Sequence, residues 1–267
     1  MAAYGTFGDI GVELNDHVAV VEIQRPPHNF FNQQLITSIA DAFEALDADG
    51  DCRALVLAAA GKSFCAGADF NTIDPNAGSG DSEGGEPLSP QHLYKQAVRL
   101  FSSAKPIVGA IQGAAIGGGL GLALVPDFRV TCPEARFSAN FTALGFHPGF
   151  GLTETLPALI GQQNAAFMFY TSRRVKGDEA VQMGLADRLV AQDQVRAKAI
   201  EMAAEMAVTA PLGVMATRAT LRAGLPGRIA AATDHELAQQ EDLRETDDFA
   251  EGVKAVSERR APNFQGR

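Results

Sequence analysis

Three consecutive glycines, Gly117 to Gly119, stand in the stretch AIGGGLGLALVPD between two segments of different hydrophobic pattern. The run KPIVGAIQG at 105–113 before them predicts a buried strand, and the Leu- and Ala-rich run after them predicts a helix. Glycine at such a turn lets the backbone approach a ligand closely. The turn therefore predicts a site that holds either a phosphate or a group that reacts.

Two phosphate-binding motifs match this turn poorly. A dinucleotide fingerprint requires G-x-G-x-x-G after the first strand and an acidic residue at the end of the second, and neither is found. Gly61-Lys62-Ser63 has the end of a Walker motif but lacks the upstream glycine. The sequence therefore disfavours a phosphate site.

An oxyanion hole fits the glycine turn better. The first amides of a helix have no partner inside it, and the helix dipole favours a developing negative charge there. Such a hole needs a second amide from another segment. The turn FCAGADF at 64–70 follows another predicted strand and carries Gly67, so it is the candidate for the second donor.

The first 140 residues repeat strand, turn and helix. Residues 10–24 alternate apolar and polar on both sides of Asn15-Asp16, which predicts a hairpin. Apolar residues recur at helical spacing over 33–46, and RALVLAA at 53–59 and DFRVTC at 127–132 predict further strands. This order predicts an α/β fold with βα crossovers.

Helical patterns dominate after Gln162. The sequence predicts an α/β core over residues 1–200 and a helical region over 201–267 that covers the core or mediates assembly. The predicted helices are 162–170, 178–183, 193–208, 211–223 and 233–258.

Residues 71–91 carry four acids, four glycines, three prolines and no base. Such a composition cannot pack a core, so it predicts a mobile surface loop. Its place directly after the 64–70 turn suggests a lid, and a tolerated insertion is the alternative.

The net charge of −10 disfavours a nucleic-acid partner. We find neither an apolar run of about 18 residues, as a membrane helix needs, nor a signal-peptide pattern, so we expect a cytoplasmic protein without a membrane partner. The three cysteines lie apart, without C-x-x-C spacing or a nearby histidine, which predicts reduced thiols and no metal site.

Several separated motifs resemble the enoyl-CoA hydratase/isomerase family, the crotonases. They are FCAGADF at 64–70 and the long segment at 105–161, with RPPHNFFN, RVKGDEAVQMGLADRLV and DDFAEGVKAVSERRAPNF in the family's order. The resemblance covers nearly the whole chain. It implies the crotonase (ClpP-like) α/β spiral of ββα units with a C-terminal helical trimerisation region, assembled as a trimer or a dimer of trimers.

The resemblance also implies roles for individual residues. The backbone amides of Ala68 and Gly118 match the oxyanion hole that binds the thioester carbonyl of an acyl-CoA substrate. No separate cofactor is implied, since coenzyme A arrives as part of that substrate. The residues expected to contact it are Pro27, His28, Ala66, Asp69 and Phe70.

The chain departs from the family at its proton-transfer positions. Typical hydratases carry one glutamate two residues after the triple glycine and another four residues before the glycine of an L-G pair, and this chain has Gly121 and Phe141 there. An aspartate used by some other members corresponds to Gly149. The usual pair of carboxylates for acid and base work is therefore absent.

Two nearby residues are candidate replacements. His147, in GFHPGFG, can act as a general acid or base near neutral pH, and its alternative role is a hydrogen bond to the backbone of a tight loop. Glu154, in the first turn of the next predicted helix, is a second candidate, and stabilising that helix end is its alternative. Phe141 lies near Phe137, Phe146 and Phe150, and these rings form either an apolar acyl pocket or part of the core.

Three functions remain open from the sequence. Hydration or isomerisation of an enoyl-CoA is the default that the family implies. Hydrolysis, decarboxylation or C–C cleavage by His147 and water suits the missing glutamates better. A non-catalytic paralogue that binds acyl-CoA or assembles with partner subunits is the third.

Overall fold

The computed structural model of the chain describes residues 2–4, 7–68 and 90–267. The strands are β1 (Ala2–Ala3), β2 (Ile10–Asn15), β3 (Val18–Ile23), β4 (Ala54–Ala59), β5 (Ile107–Ile111), β6 (Ala114–Ile116), β7 (Phe128–Thr131), β8 (Arg136–Ser138), β9 (Val175–Lys176) and β10 (Arg188–Leu189). The helices are α1 (Gln33–Ala48), α2 (Pro90–Leu100), α3 (Gly118–Ala123), α4 (Leu152–Ile160), α5 (Gln162–Thr171), α6 (Gly177–Gln182), α7 (Val195–Ala207), α8 (Pro211–Leu221), α9 (Leu225–Arg244) and α10 (Asp247–Ser257).

A mixed sheet forms the centre of the fold, with strand order β1-β2-β3-β4-β5-β7-β10. Its first three strands pair antiparallel, and the pairs from β3 to β10 are parallel. Every residue of β4 and β5 is buried, as expected for parallel strands covered on both faces. The α/β prediction is therefore confirmed.

The predicted hairpin and first helix are confirmed. β2 and β3 pair in register from Ile10 with Ile23 to Asn15 with Val18, and Asp16 and His17 between them both have positive φ, as a tight two-residue turn requires. The Asn32 side chain caps α1 by accepting a hydrogen bond from the Leu35 amide at 3.0 Å.

A second sheet, with order β6-β8-β9, carries the glycine turn. β6 pairs parallel with β8, and β8 pairs antiparallel with β9. Helix α3 begins two residues after β6 ends. This small sheet positions the turn for the site described below.

The predicted helix at 233–258 is wrong, because two helices cover these residues. α9 begins earlier, after Gly224 in the left-handed region at φ 73°, and ends at Arg244. A new helix starts at Asp247, where the Thr246 hydroxyl accepts a hydrogen bond from the Phe249 amide at 3.2 Å. The Thr246 cap is a local signal for a new helix, but the apolar spacing continues across it and so predicted one helix.

The predicted boundary between residues 200 and 201 falls inside α7, which packs on the central sheet. The division into two regions stays a prediction. The predicted loop at 71–91 lies outside the described residues except for Pro90 and Gln91, which begin α2.

Helix α8 is tied to the central sheet by one carboxylate. Asp127 accepts hydrogen bonds from Arg218 Nε at 2.8 Å and Arg222 Nη1 at 2.6 Å. The same carboxylate accepts a hydrogen bond from the Ile107 amide at 2.8 Å, at the start of β5.

Among the described helices none alone is long and apolar enough to cross a membrane. The pair of helices at 192–207 and 211–221, which are bent by 106° relative to each other, meets the length and composition of a membrane span only when taken together.

Candidate active site

The turn at 64–68 is joined to the glycine turn by backbone hydrogen bonds. The amides of Phe64 and Cys65 donate to the carbonyl of Ala114 at 3.0 and 2.9 Å, and the amide of Ile116 donates to the carbonyl of Cys65 at 3.1 Å. A β-carbon at Gly119 would collide with the Cys65 carbonyl. Glycine at position 119 is therefore what lets the two segments come together.

Gly117 directly follows β6 and has a positive φ of 57°. Its amide donates a hydrogen bond to the Ser138 carbonyl at 2.8 Å. The chain then turns into α3 at Gly118. Within the part of the chain that the structure describes, the amides of Gly118 and Ala68 donate no hydrogen bond. The Gly118 amide has no partner within α3 because it belongs to the first turn of that helix.

Ala68 is held from its other side by the RPPHNFFN segment. The Phe31 amide donates to the Gly67 carbonyl at 3.0 Å, and the Ala66 amide donates to the His28 carbonyl at 3.0 Å. Pro27 and His28 are exposed beside Ala66. Three of the predicted coenzyme A contacts, Pro27, His28 and Ala66, thus lie next to the Ala68 turn, whereas Asp69 and Phe70 lie outside the described residues.

Phe150 occupies the place of the first missing glutamate. A β-carbon at Gly121 would lie 2.7 Å from both Cβ and Cδ1 of Phe150. Phe150 is itself buried, with a positive φ of 65°, and its ring meets that of Phe31 edge to face at 5.8 Å. A larger residue at position 121 would therefore have to displace the buried Phe150.

Phe31 and Phe141 complete an apolar surface around the glycine turn. A β-carbon at Gly118 would lie 2.6 Å from Phe31 Cε1, and one at Gly117 would lie 3.8 Å from Phe141 Cζ. Phe141 stacks on Phe146 with 6.4 Å between ring centroids. Phe137, which the sequence groups with them, is wholly buried in the core.

The third carboxylate position, Gly149, is filled by a polar pair that sequence reasoning missed. A β-carbon there would collide with Tyr94 Oη and lie 2.5 Å from Gln240 Nε2. Tyr94 donates to Gln240 Oε1 at 2.8 Å, and Gln240 Nε2 donates to the His147 carbonyl at 2.9 Å. Burial raises the pKa of the Tyr94 hydroxyl. These residues come from α2 and α9, far from the loop in sequence.

His147 lies in this loop with Nδ1 at 2.8 Å from the Pro148 carbonyl. That bond assigns the proton to Nδ1 and leaves Nε2 to accept one. The centroid of its ring lies 6.0 Å from that of His235 on α9. The hydrogen bond is compatible with a structural role and with a base, so the predicted catalytic role stays a prediction.

Glu154 lies in the first turn of α4, where its carboxylate accepts a hydrogen bond from Arg228 Nε at 2.7 Å. This ion pair links α4 to α9 at the surface. The structure thus brings Ala68 and Gly118 into joined turns, while it turns Glu154 toward a surface arginine.

Glu236, also missed by the sequence analysis, is a fully buried glutamate that caps α4. Its carboxylate accepts hydrogen bonds from the Gly151 amide at 2.8 Å, the Thr153 amide at 2.9 Å and Thr153 Oγ1 at 2.6 Å. Burial raises its pKa, and the bonds from Thr153 and Gly151 oppose that effect. It fixes the end of the loop that carries Phe150.

Cys65 is buried in the Ala68 turn, and burial raises the pKa of its thiol to about 12. A thiol that stays protonated is a poor nucleophile. Cys65 therefore packs in the core of this turn and is not a candidate nucleophile.

Two backbone amides in joined turns, one of them at a glycine-rich helix start, form the kind of arrangement that stabilises an oxyanion in enzymes. A sequence profile described as enoyl-CoA hydratase/isomerase matches residues 13–267. The chain belongs to the enoyl-CoA hydratase/isomerase family, the crotonases, and has their fold.

Individual relatives and a solved structure are consistent with this family. The chain is 36% identical over 236 residues to the probable enoyl-CoA hydratase EchA14 of Mycobacterium tuberculosis, spanning 87% of this chain and 88% of the relative. It is 32% identical over 264 residues to the (E)-benzylidenesuccinyl-CoA hydratase of Thauera aromatica, spanning 96% and 99%. The crystal structure of an enoyl-CoA hydratase/isomerase from Pseudoalteromonas atlantica has a TM-score of 0.85 at 29% identity, covering 97% of this chain and 100% of that one.

Adding one carbon at Gly121 tests the packing of Phe150. We expect Gly121→Ala to lower the free energy of unfolding by about 1–3 kcal/mol, because the added methyl displaces a buried ring. Gly213→Ala is the matched control, since its β-carbon would meet nothing closer than Ala210 Cβ at 3.9 Å. Urea denaturation measures both, and equal stability of Gly121→Ala and wild type would contradict the packing account.

The pH dependence of stability tests the burial of Glu236. Its folded pKa lies above the unfolded value of about 4.5. The unfolded chain therefore ionises first as the pH rises, and wild type loses stability relative to Glu236→Gln above that pH. Unfolding by urea at several pH values, with the exposed Glu205→Gln as a control for net charge, should show this trend. An increase in the stability of the wild type relative to Glu236→Gln with rising pH would refute this account.

Proposed function

We propose that this chain processes an acyl-CoA thioester by holding its carbonyl oxygen on the amides of Ala68 and Gly118. The observation that carries the proposal is the backbone pairing of the 64–68 turn with β6, which brings these amides into adjoining turns. Two fixed donors stabilise the oxyanion of an enolate or a tetrahedral intermediate without the reorganisation that water requires.

We further propose that proton transfer does not use the family's pair of glutamates. Gly121 has no room for a carboxylate because Phe150 covers it, and position 141 is a phenyl ring. His147 Nε2 is the candidate group for moving the proton, since Nδ1 is bound to a carbonyl. Water addition to an enoyl-CoA by this histidine is the first candidate reaction, in line with the names of the relatives.

A second candidate is hydrolysis, decarboxylation or C–C cleavage of an acyl-CoA. The absence of both glutamates favours it. In decarboxylation the electrons of the breaking C–C bond form the enolate directly, so only the oxyanion hole and an apolar surrounding are required.

We propose that the acyl group is bulky and apolar, or aromatic. Phe31, Phe141 and Phe150 surround the glycine turn, and edge-to-face or stacked rings pack well against a further ring. The Thauera aromatica relative, whose name carries a benzylidene group, supports an aromatic acyl group.

We also propose a homo-oligomer, either a trimer or a dimer of trimers. Large apolar side chains on and beside the later helices are exposed in the single chain, which suggests that copies cover them. They are Phe167, Tyr170, Val208, Leu212 and Leu221.

Removing one amide tests the oxyanion hole. Ala68→Pro deletes the N–H, and we expect kcat/KM to fall by about 10²–10³ fold with whichever acyl-CoA the wild type turns over. The substrate panel is crotonyl-CoA, cinnamoyl-CoA, 3-hydroxybutyryl-CoA and acetoacetyl-CoA. Ala68→Gly keeps the amide and is the control, and thermal unfolding checks that the proline variant folds.

Two outcomes would count against this proposal. Full activity of a folded Ala68→Pro variant would exclude the Ala68 amide as a donor. A wild type that is inactive on the whole panel but binds acyl-CoA tightly would favour the non-catalytic binding paralogue.

The His147 assignment has its own test. We expect His147→Ala to lower kcat by about 10²–10⁴ fold and to abolish the limb of the pH–rate profile that reports the histidine. His235→Ala, which removes the neighbouring ring on α9, is the matched control. An unchanged pH–rate profile in His147→Ala would return His147 to a structural role.

A further inference from the structure

Arg244, the last residue of α9, has an unusual environment. Its guanidinium lies 5.2 Å from the centroid of the Phe146 ring, and its buried Nε has no hydrogen-bond partner among the described residues. Among the described residues no carboxylate lies within 4.0 Å of it. A buried donor without a partner costs free energy, so this arrangement calls for an explanation.

Other substantially buried arginines of the chain are engaged differently. Arg218 and Arg222 both donate to Asp127, and Arg129 donates to the carbonyls of Leu185 and Pro126 at 2.8 Å. Arg218 Nη2 and Arg222 Nε also lack a partner among the described residues, but both guanidinium groups make other hydrogen bonds at the edge of the sheet. Arg244 donates no hydrogen bond to any described residue, and its guanidinium lies against the face of an aromatic ring.

A row of aromatic rings connects Arg244 to the oxyanion turn. Phe146, under the guanidinium, stacks on Phe141 at 6.4 Å, and the tip of Phe141 lies 3.8 Å from the β-carbon position of Gly117. Phe249 of α10 also packs against Phe146, with 5.1 Å between the ring centroids. The cation thus stands at the far end of an apolar surface that begins at the thioester site.

The charges around Arg244 leave it free to bind an anion. Burial lowers its pKa, whereas Tyr94 on α2 and Glu241 one turn earlier on α9 act in the opposite direction. Neither forms an ion pair or hydrogen bond with it in the described part of the chain. A guanidinium remains protonated in proteins, and its planar fork binds a carboxylate through two parallel hydrogen bonds.

We propose that Arg244 binds a second carboxylate at the distal end of the acyl group. The inference rests on the proposed function and names its substrate class: coenzyme A thioesters of dicarboxylic acids with an apolar or aromatic segment between the two ends. The phenyl rings bind that segment, the Ala68 and Gly118 amides bind the thioester oxygen, and Arg244 binds the free carboxylate.

The phosphates of coenzyme A are a less suitable partner for Arg244. The segment expected to contact coenzyme A, at Pro27 and His28, meets the Ala68 turn through the bond from the Ala66 amide to the His28 carbonyl. Arg244 is instead linked to the glycine turn through Phe146 and Phe141. The two ends of the substrate are thus assigned to different segments of the chain.

Calorimetric binding of saturated acyl-CoAs of matched length tests this proposal. The probes are glutaryl-, adipyl- and suberyl-CoA, each compared with its monocarboxylic counterpart valeryl-, hexanoyl- or octanoyl-CoA. At the length that spans the rings we expect the wild type to bind the diacid about tenfold more tightly, as one charge-assisted pair provides. Arg244→Met should remove that preference without changing the affinity for the monoacid, and Arg244→Lys should retain part of it.

The control and the contrary outcomes are distinct. Arg228→Met removes a partly exposed arginine from the same helix and should leave both affinities unchanged. Equal binding of diacid and monoacid by the wild type at every length, or an equal loss of both in Arg244→Met, would overturn the role of Arg244 while leaving the proposed function intact. Failure of the wild type to bind any of the six thioesters, or coenzyme A itself, would instead overturn the proposed function and with it this inference. If Arg244→Met does not fold, the wild-type comparison still tests the preference for the diacid, and Arg244→Lys tests whether Arg244 is its source.

Discussion

The backbone pairing between residues 64–68 and β6 is the interaction on which the site depends. It joins a turn that follows the central sheet to a turn that opens α3. It thereby brings into adjoining turns the amides of Ala68 and Gly118, which donate no hydrogen bond within the described part of the chain. The approach is possible only because position 119 lacks a side chain, since any β-carbon there would collide with the Cys65 carbonyl. The proposed oxyanion site therefore consists of main-chain atoms, whose positions depend on the fold rather than on flexible side chains.

Around those amides, aromatic rings lie where the family's usual carboxylates would stand. Phe150 lies where a carboxylate two residues beyond the triple glycine would have to stand, and Phe141 stands at the second such position. A low-dielectric surrounding strengthens the attraction between the amides and a developing negative oxygen. The family's usual pair of glutamates is absent from this surrounding, so the proposed function combines an oxyanion site on two backbone amides with a different proton path.

The sequence predicted the parts of the fold that depend on local pattern and on glycine. The hairpin at Asn15-Asp16, the helix over 33–46 and the buried strands all follow from hydrophobic period, and the structure confirms them. The helix predicted at 233–258 is wrong because the period continues across a break that only the Thr246 cap marks. A pattern of apolar residues identifies a face of a helix but not its end.

The contacts that shape the site could not be read from the sequence, because they join residues that are far apart along the chain. Phe150 covers a glycine 29 positions earlier, and Glu236 caps a helix that begins 84 positions before it. Nothing in HELAQQEDLR distinguishes Glu236 or Arg244 from the other polar residues of α9 until the helix is packed. Their environments are properties of the tertiary structure.

The most direct test of this account is the infrared carbonyl band of a bound thioester. Hexanoyl-CoA labelled with ¹³C at the thioester carbonyl would be compared free in water and bound to the wild-type protein by isotope-edited difference spectroscopy. Two amides aimed at the oxygen polarise the C=O bond, so the account predicts a band at lower frequency in the complex. A bound thioester whose band stays at its frequency in water, or moves higher, would contradict the claim that Ala68 and Gly118 bind the carbonyl.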